Sequence, residues 1–198
     1  MKIISINIAA VGDLFVTPSG QQGIKTGIHK LPVGGPVQTN RLGLAGDEQA
    51  DLSVHGGLDK AVYAYPSEHH SFWRAQWVAT MKRSPGETDV GPGTLGENLT
   101  TEGILESDLW IGDRLMIGDV ILQVTEPRHP CFKLNAKLGF SHASKMMIQS
   151  GFSGFYLRVV QTGQLCAGDP ITLVPGPREV ALGWLNERRR KGRQEDLF

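Results

Sequence analysis

Apolar residues alternate with polar ones in several short stretches of this chain and follow helical spacing in only a few. Ile4, Ile6 and Ile8, set against Ser5 and Asn7, predict an opening β-strand. Ala61-Val62-Tyr63-Ala64-Tyr65 is a strand by composition. The strongest period-two signal covers residues 111–125, two strands that turn at Gly118-Asp119. A similar unit follows at 155–162, with a turn at Gly163 and a further strand up to Val174. Short strands at 27–30 and 37–41 fit between glycine- and proline-rich turns. The Gly-Asp pair that recurs before strands suggests matching corners of a barrel, although two short copies do not make an internal repeat.

Helical signals are fewer. Ser67 is placed to cap a helix with Glu68 in its first turn, and Trp73 and Trp77, one turn apart, mark its buried face. Ser141 can cap a second helix through Met146, Met147 and Ile148, which Gly151 would stop. After Pro175-Gly176-Pro177, Val180, Ala181, Trp184 and Leu185 recur at helical spacing. The basic run from Arg188 to Arg193 then reads as a solvated helix end. The fold class predicted is mostly β with a few helices: a distorted or closed β-barrel over residues 1–175 and a helical tail over 176–198.

Composition narrows the function. The 198 residues fit one domain, or one with a small appendage. Twenty Lys+Arg balance twenty Asp+Glu, so the basic excess of a nucleic-acid binder is missing. Twenty-five glycines and eleven prolines favour short strands and tight turns over a helical bundle. The two cysteines, Cys131 and Cys166, form no CxxC pair and belong to no His/Cys cluster at zinc spacing. The first ten residues carry one lysine, and Ser5 and Asn7 break the apolar run too early for a signal peptide. No stretch approaches the roughly 18 apolar residues that span a bilayer. A soluble, cytoplasmic protein is expected. The stretch Gly20-Gln21-Gln22-Gly23-Ile24-Lys25-Thr26 glances at a phosphate loop and fails, because Ile24 separates the glycine from the lysine.

The sharpest chemical feature is Pro127-Arg128-His129-Pro130-Cys131. Two prolines constrain the backbone. If Pro130 opens a helical piece, Cys131 sits in its first turn, where unpaired amides favour a thiolate. Arg128 and Lys133 add positive charge, an environment suited to a nucleophile or a soft-metal ligand. Buried, inert cysteines are the commoner case, and Cys166, between Leu165 and Ala167, is read as one. His55-Gly56-Gly57 offers glycine-hinged amides that can cradle an anion, with Lys60 nearby. Gly96-Glu97-Asn98 offers a turn with a carboxylate and an amide, or simply a turn capped by Asn98. His69-His70, on the helix with Trp73, reads as surface decoration.

Taken in order, Gly46-Asp47-Glu48-Gln49-Ala50-Asp51, His55 through Tyr63, Gly96-Glu97-Asn98-Leu99, Ile111-Gly112-Asp113 and Pro127 through Cys131 resemble the MOSC-domain family, in its stand-alone bacterial branch. The resemblance runs to about Val174. It implies a compact, mostly β barrel and a functional cysteine at Cys131. It also implies a molybdenum cofactor of the molybdopterin type, with Cys131 as metal ligand. Gln49, His55, Gly56, Gly57, Lys60, Glu97, Asn98 and Arg128 would then line the pterin and its phosphate. Glu97, Asp47, Asp51 or Asp59 would supply protons or orient the basic residues.

The activity implied is reduction of N-hydroxylated small molecules such as hydroxylamino purines. Its electrons would come from an external flavin or iron–sulfur protein. Two other readings stay open: a sulfur carrier that uses a Cys131 persulfide, and a cofactor-binding module without turnover. Members of this branch often carry a C-terminal three-helix module, whereas residues 178–198 leave room for one helix and a tail. Neither nucleic acid nor membrane is expected as a partner, and barrel edges that pair would make a homodimer.

Overall fold

The computed structural model describes residues 1–15, 23–51, 56–81 and 90–195. His55, expected to help cradle an anion, lies outside the described residues, as do 16–22, 52–54, 82–89 and 196–198. The strands are β1 (Lys2–Ile8), β2 (Gly12–Asp13), β3 (Lys25–Thr26), β4 (Leu31–Val33), β5 (Val37–Asn40) and β6 (Gly43–Leu44). They continue with β7 (Val62–Pro66), β8 (Leu99–Glu102), β9 (Arg114–Ile117), β10 (Val120–Pro127), β11 (Phe155–Gln161), β12 (Gln164–Leu165) and β13 (Thr172–Val174). The α-helices are α1 (His70–Met81), α2 (Phe132–Leu138), α3 (Ala143–Ser150) and α4 (Leu182–Glu195).

Eight strands form one sheet in the order β13-β9-β10-β11-β7-β8-β1-β4. All neighbours are antiparallel except β7 and β8. The sheet curls until β1 meets the turn ahead of β13. The Ile3 N–H donates to Asp169 O at 3.0 Å and the Gly168 N–H to Ile3 O at 2.8 Å. The hairpin expected at Gly118-Asp119 is present, with Val120 opposite Ile117. The strand after Gly168-Asp169, β13, pairs with β9, which leads into Gly118-Asp119.

Curling encloses an apolar interior built from alternate residues of each strand, including Ile3, Ile6, Leu99, Leu115, Leu122 and Leu157. A second cluster lies beneath α1, α2 and α3, where Tyr63, Tyr65, Trp73, Leu134, Leu138 and Met147 pack together. Leu182 of α4 joins the barrel interior, and its N–H donates to Leu109 O at 2.9 Å.

Four expectations need correction. The alternation in β1 is broken by a register shift between Ile3 and Ser5, so Ile4 is exposed while Ser5 and Asn7 are buried. These polar side chains are satisfied internally: Ser5 Oγ donates to Asn7 Oδ1 at 2.8 Å, and Asn7 Nδ2 to Thr100 Oγ1 at 3.1 Å. Ser67 does not cap α1. It opens a 3-10 turn, Ser67–His69, that swings both histidines inward. His69 Nε2 lies 2.8 Å from Glu106 Oε2, and the ring stacks on Phe152 at 3.9 Å. His70 is also buried and stacks on Tyr65. Finally, residues 27–30 form no strand; the pairing falls on Lys25–Thr26.

Candidate functional site

A cleft opens where the 26–30 segment, residues 47–51, the end of β10 and the start of α2 come together. Its closeness owes much to backbone approach. A side chain at Gly27 would place its Cβ 2.3 Å from Glu48 O, and at Gly96, where φ is 82°, it would meet Ile28 at 2.7 Å. The helix that begins beside Cys131 is fastened to the same segment. Lys133 Nζ donates to Lys25 O at 3.0 Å, and Lys137 Nζ to both Ile28 O and Gly93 O at 2.7 Å.

Cys131 is half-buried at the wall of this cleft, unpaired, and is the N-cap of α2 rather than a residue of its first turn. The helix starts at Phe132, two residues later than the proline suggested. Arg128, three residues back, is 7% exposed and lines the same wall. Its Nη1 donates to Leu95 O at 2.6 Å and to Tyr63 Oη at 3.1 Å, and the guanidinium lies 4.7 Å from the Tyr63 ring centre. Tyr63 in turn donates to Ser153 O at 2.8 Å. Burial pushes the phenols of Tyr63 and Tyr156 above their ordinary range, against the pull of Arg128, so both are neutral. Among the described residues no carboxylate forms an ion pair with Arg128. A buried guanidinium met only by dipoles is costly unless an anion joins it, and Cys131 is within its electrostatic reach.

Lys30, by contrast, has a carboxylate partner. Lys30 and Asp47 form a close ion pair with side chains 8% and 3% exposed. Burial holds the Lys30 ammonium below the usual lysine range, and Asp47 opposes that shift. Asp47 also accepts from the Ala9 N–H at 3.0 Å and from Asn98 Nδ2 at 2.9 Å. Asn98 Oδ1 accepts from the Tyr63 N–H, so this side chain ties β7 to the ion pair. Gln49 plays a similar bracing part, accepting from the Gly57 N–H at 3.1 Å and donating to Leu42 O at 3.0 Å. Gly57, with φ 84°, opens the 3-10 turn Leu58–Lys60.

Thus Asp47, Gln49, Asp51, Lys60, Asn98, Arg128 and Cys131 of the expected residues line the cleft. Gly56, Gly57 and Glu97 are not part of that wall. Glu97 is fully buried and accepts from the N–H groups of Gly93 at 2.7 Å and Leu95 at 3.0 Å and from Thr100 Oγ1 at 3.0 Å. Burial raises its carboxyl above the ordinary range against those bonds. It shapes the 93–97 turn that Arg128 and Lys137 bind. Asp59 faces Arg158 instead, with Oδ1 2.6 Å from Nε. The sequence alone missed Lys30 and Tyr156, which line the cleft only because distant strands bring them there.

The chain belongs to the MOSC domain family. The family's signature matches residues 51–172. A protein named "Reductase" from Gibberella moniliformis is 41% identical over 156 residues, 78% of this chain and 26% of that protein. Protein YiiM of Escherichia coli is 36% identical over 161 residues, which cover 81% of this chain and 69% of YiiM. The crystal structure of YiiM from Geobacillus stearothermophilus superposes with a TM-score of 0.74 at 32% identity, covering 97% of this chain and 85% of that one. The chain therefore spans about a quarter of the fungal relative and about seven-tenths of the bacterial one. MOSC domains are associated with binding of the molybdenum cofactor, and the mostly β architecture expected from the sequence is the architecture found. No helix among the described residues is long and apolar enough to cross a membrane.

Proposed function

We propose that this MOSC protein binds a molybdopterin-type molybdenum cofactor, with Cys131 as metal ligand, and reduces N-hydroxylated small molecules. Hydroxylamino purines are the substrate class favoured. The observation that carries the cofactor reading is Arg128, a buried cation without a carboxylate partner among the described residues, set beside a half-buried thiol. An anionic, phosphate-bearing ligand with a thiophilic metal answers both. The donor set fits such a group as well. No cluster of three or more His, Cys, Asp or Glu among the described residues could hold a metal by itself, so a metal here needs ligands that the cofactor brings.

In this reading Cys131 holds the metal, Arg128 and Lys60 meet anionic groups, and Gln49 and Asn98 keep the wall in place through the backbone bonds described above. Lys30, tied to Asp47, places a second buried charge at the floor. When bound, the cofactor supplies two-electron redox chemistry and an acceptor for oxygen. The overall reaction breaks the N–O bond and consumes two electrons and two protons, leaving an N–H group and water. The electrons come from an external flavin or iron–sulfur protein. The name of the fungal relative, "Reductase", supports this class of chemistry.

The test is turnover. Protein from cells that make the cofactor is given an N-hydroxylated purine base and an artificial low-potential electron donor, beside its Cys131→Ser variant. Amine product from the wild type alone is expected. No turnover, with a persulfide on Cys131 and no metal, would replace this reading with sulfur transfer.

A further inference from the structure

We propose that Arg189 of α4 is a positioning residue for the cysteine turn and for Lys60. For its bearing on function the inference rests on the cofactor reading above; the geometry itself does not.

The basic run at the end of the chain was expected to be solvated throughout. Arg188, Arg190 and Lys191 are exposed, but Arg189 folds back onto the barrel. Its Nη1 donates to Pro127 O at 2.8 Å, and its Nη2 lies 3.8 Å from Glu126 Oε2. The other oxygen of Glu126 is 3.6 Å from Lys60 Nζ. One carboxylate therefore stands between a cation of the last helix and a cation of the cleft wall. The three side chains are 30%, 32% and 27% exposed, sheltered enough for the charges to act on one another rather than on solvent.

Pro127 is where this strut meets the cysteine. It closes β10 opposite Phe155, and the next residue, Arg128, donates its N–H to Gly154 O at a long 3.3 Å. Pro127 and Pro130 fix φ on either side of the stretch that leads to Cys131. The Arg189 bond to the Pro127 carbonyl fixes the near end of that segment. A planar guanidinium can hold a carbonyl and a carboxylate at once, which an ammonium does less well. Helix α4 thus braces the site from behind, without touching the cleft.

The experiment compares alkylation rates of Cys131 and Cys166 by iodoacetamide in the folded, full-length protein, so that neither metal nor turnover enters the readout. Arg189→Gln is expected to raise the Cys131 rate several-fold and leave Cys166 unchanged. Arg189→Lys, which keeps the charge and loses the fork, gives a smaller rise. An unchanged ratio of the two rates in Arg189→Gln would overturn the proposal. So would a parallel rise at both cysteines, which marks general loosening of the fold. If the cofactor reading failed, the alkylation result would stand unaffected, so the two failures are distinguishable.

Discussion

Cys131 and Cys166 are both unpaired thiols of intermediate exposure, yet they sit in turns of opposite character. Around Cys166 the turn closes on itself. Its N–H donates to Asp169 Oδ2 at 2.7 Å, and its carbonyl accepts from the Asp169 N–H at 3.2 Å. The neighbouring charge is a carboxylate, and the turn serves to seal the barrel against β1. Around Cys131 the chain is flanked by two prolines, the neighbouring charge is the Arg128 guanidinium, which has no carboxylate partner among the described residues, and a cleft lies in front. Ligand or nucleophile chemistry needs a thiolate, for which a cation is the useful neighbour. Residue type and exposure do not separate the two cysteines. The charges folded around them do.

The strongest way to break this contrast is to damage the charged floor behind Cys131. Asp47→Ala strands the Lys30 ammonium in the interior and removes the acceptor for Ala9 and Asn98. A loss of about 3–5 kcal/mol is expected in urea unfolding. A loss below about 1 kcal/mol would show that the pair is more solvated than its burial implies. Arg128→Met tests the cation directly. Cofactor affinity should fall by roughly ten- to a hundredfold, from the 1.5–3 kcal/mol of a hydrogen bond to a charged group, as read by pterin release on dialysis. Glu97→Gln leaves the acceptor positions partly filled but turns one oxygen into a donor facing backbone N–H groups. A cost of about 1–3 kcal/mol follows, again by urea unfolding.

Acidification gives a subtler test. Burial lowers the His70 pKa from 6.5 to about 4, with Arg74 and His69 acting in the same direction. Between those values the unfolded chain takes up a proton that the folded protein refuses. Stability is therefore present above pH 6.5 and is lost as pH falls toward 4. His70→Gln should flatten the stability–pH curve in that window. The smallest effect belongs to the quiet side of the comparison: Cys166→Ser should change stability by no more than about 0.5 kcal/mol and leave the cofactor in place.

Much of this was legible in the chain because it was local. The Gly118-Asp119 hairpin and the Gly151 stop follow from a few adjacent residues, as does the unusual setting of Cys131 between proline, arginine and lysine. What escaped was set by long-range packing. Lys30 has no local signal for burial; it is explained only by Asp47, brought from 17 residues away. Tyr156 reaches the cleft through the pairing of β11 with β10 and β7. A one-residue shift in β1 turned Ser5 and Asn7 inward, because strand side chains change face with every slip. His69 and His70 looked like surface residues until Glu106 and Tyr65, from other parts of the fold, gave them an interior. The Glu97 carboxylate is plain in the sequence, but not that it accepts the backbone N–H groups of its own turn.

The most direct test of the central claim is molybdenum and pterin content, measured side by side on wild type, Cys131→Ser and Cys166→Ser purified from cells that make the cofactor. Metal and pterin near one per chain in the wild type and Cys166→Ser, with metal lost from a folded Cys131→Ser, is the predicted result. Equal metal in all three proteins would contradict the assignment of Cys131 as the ligand.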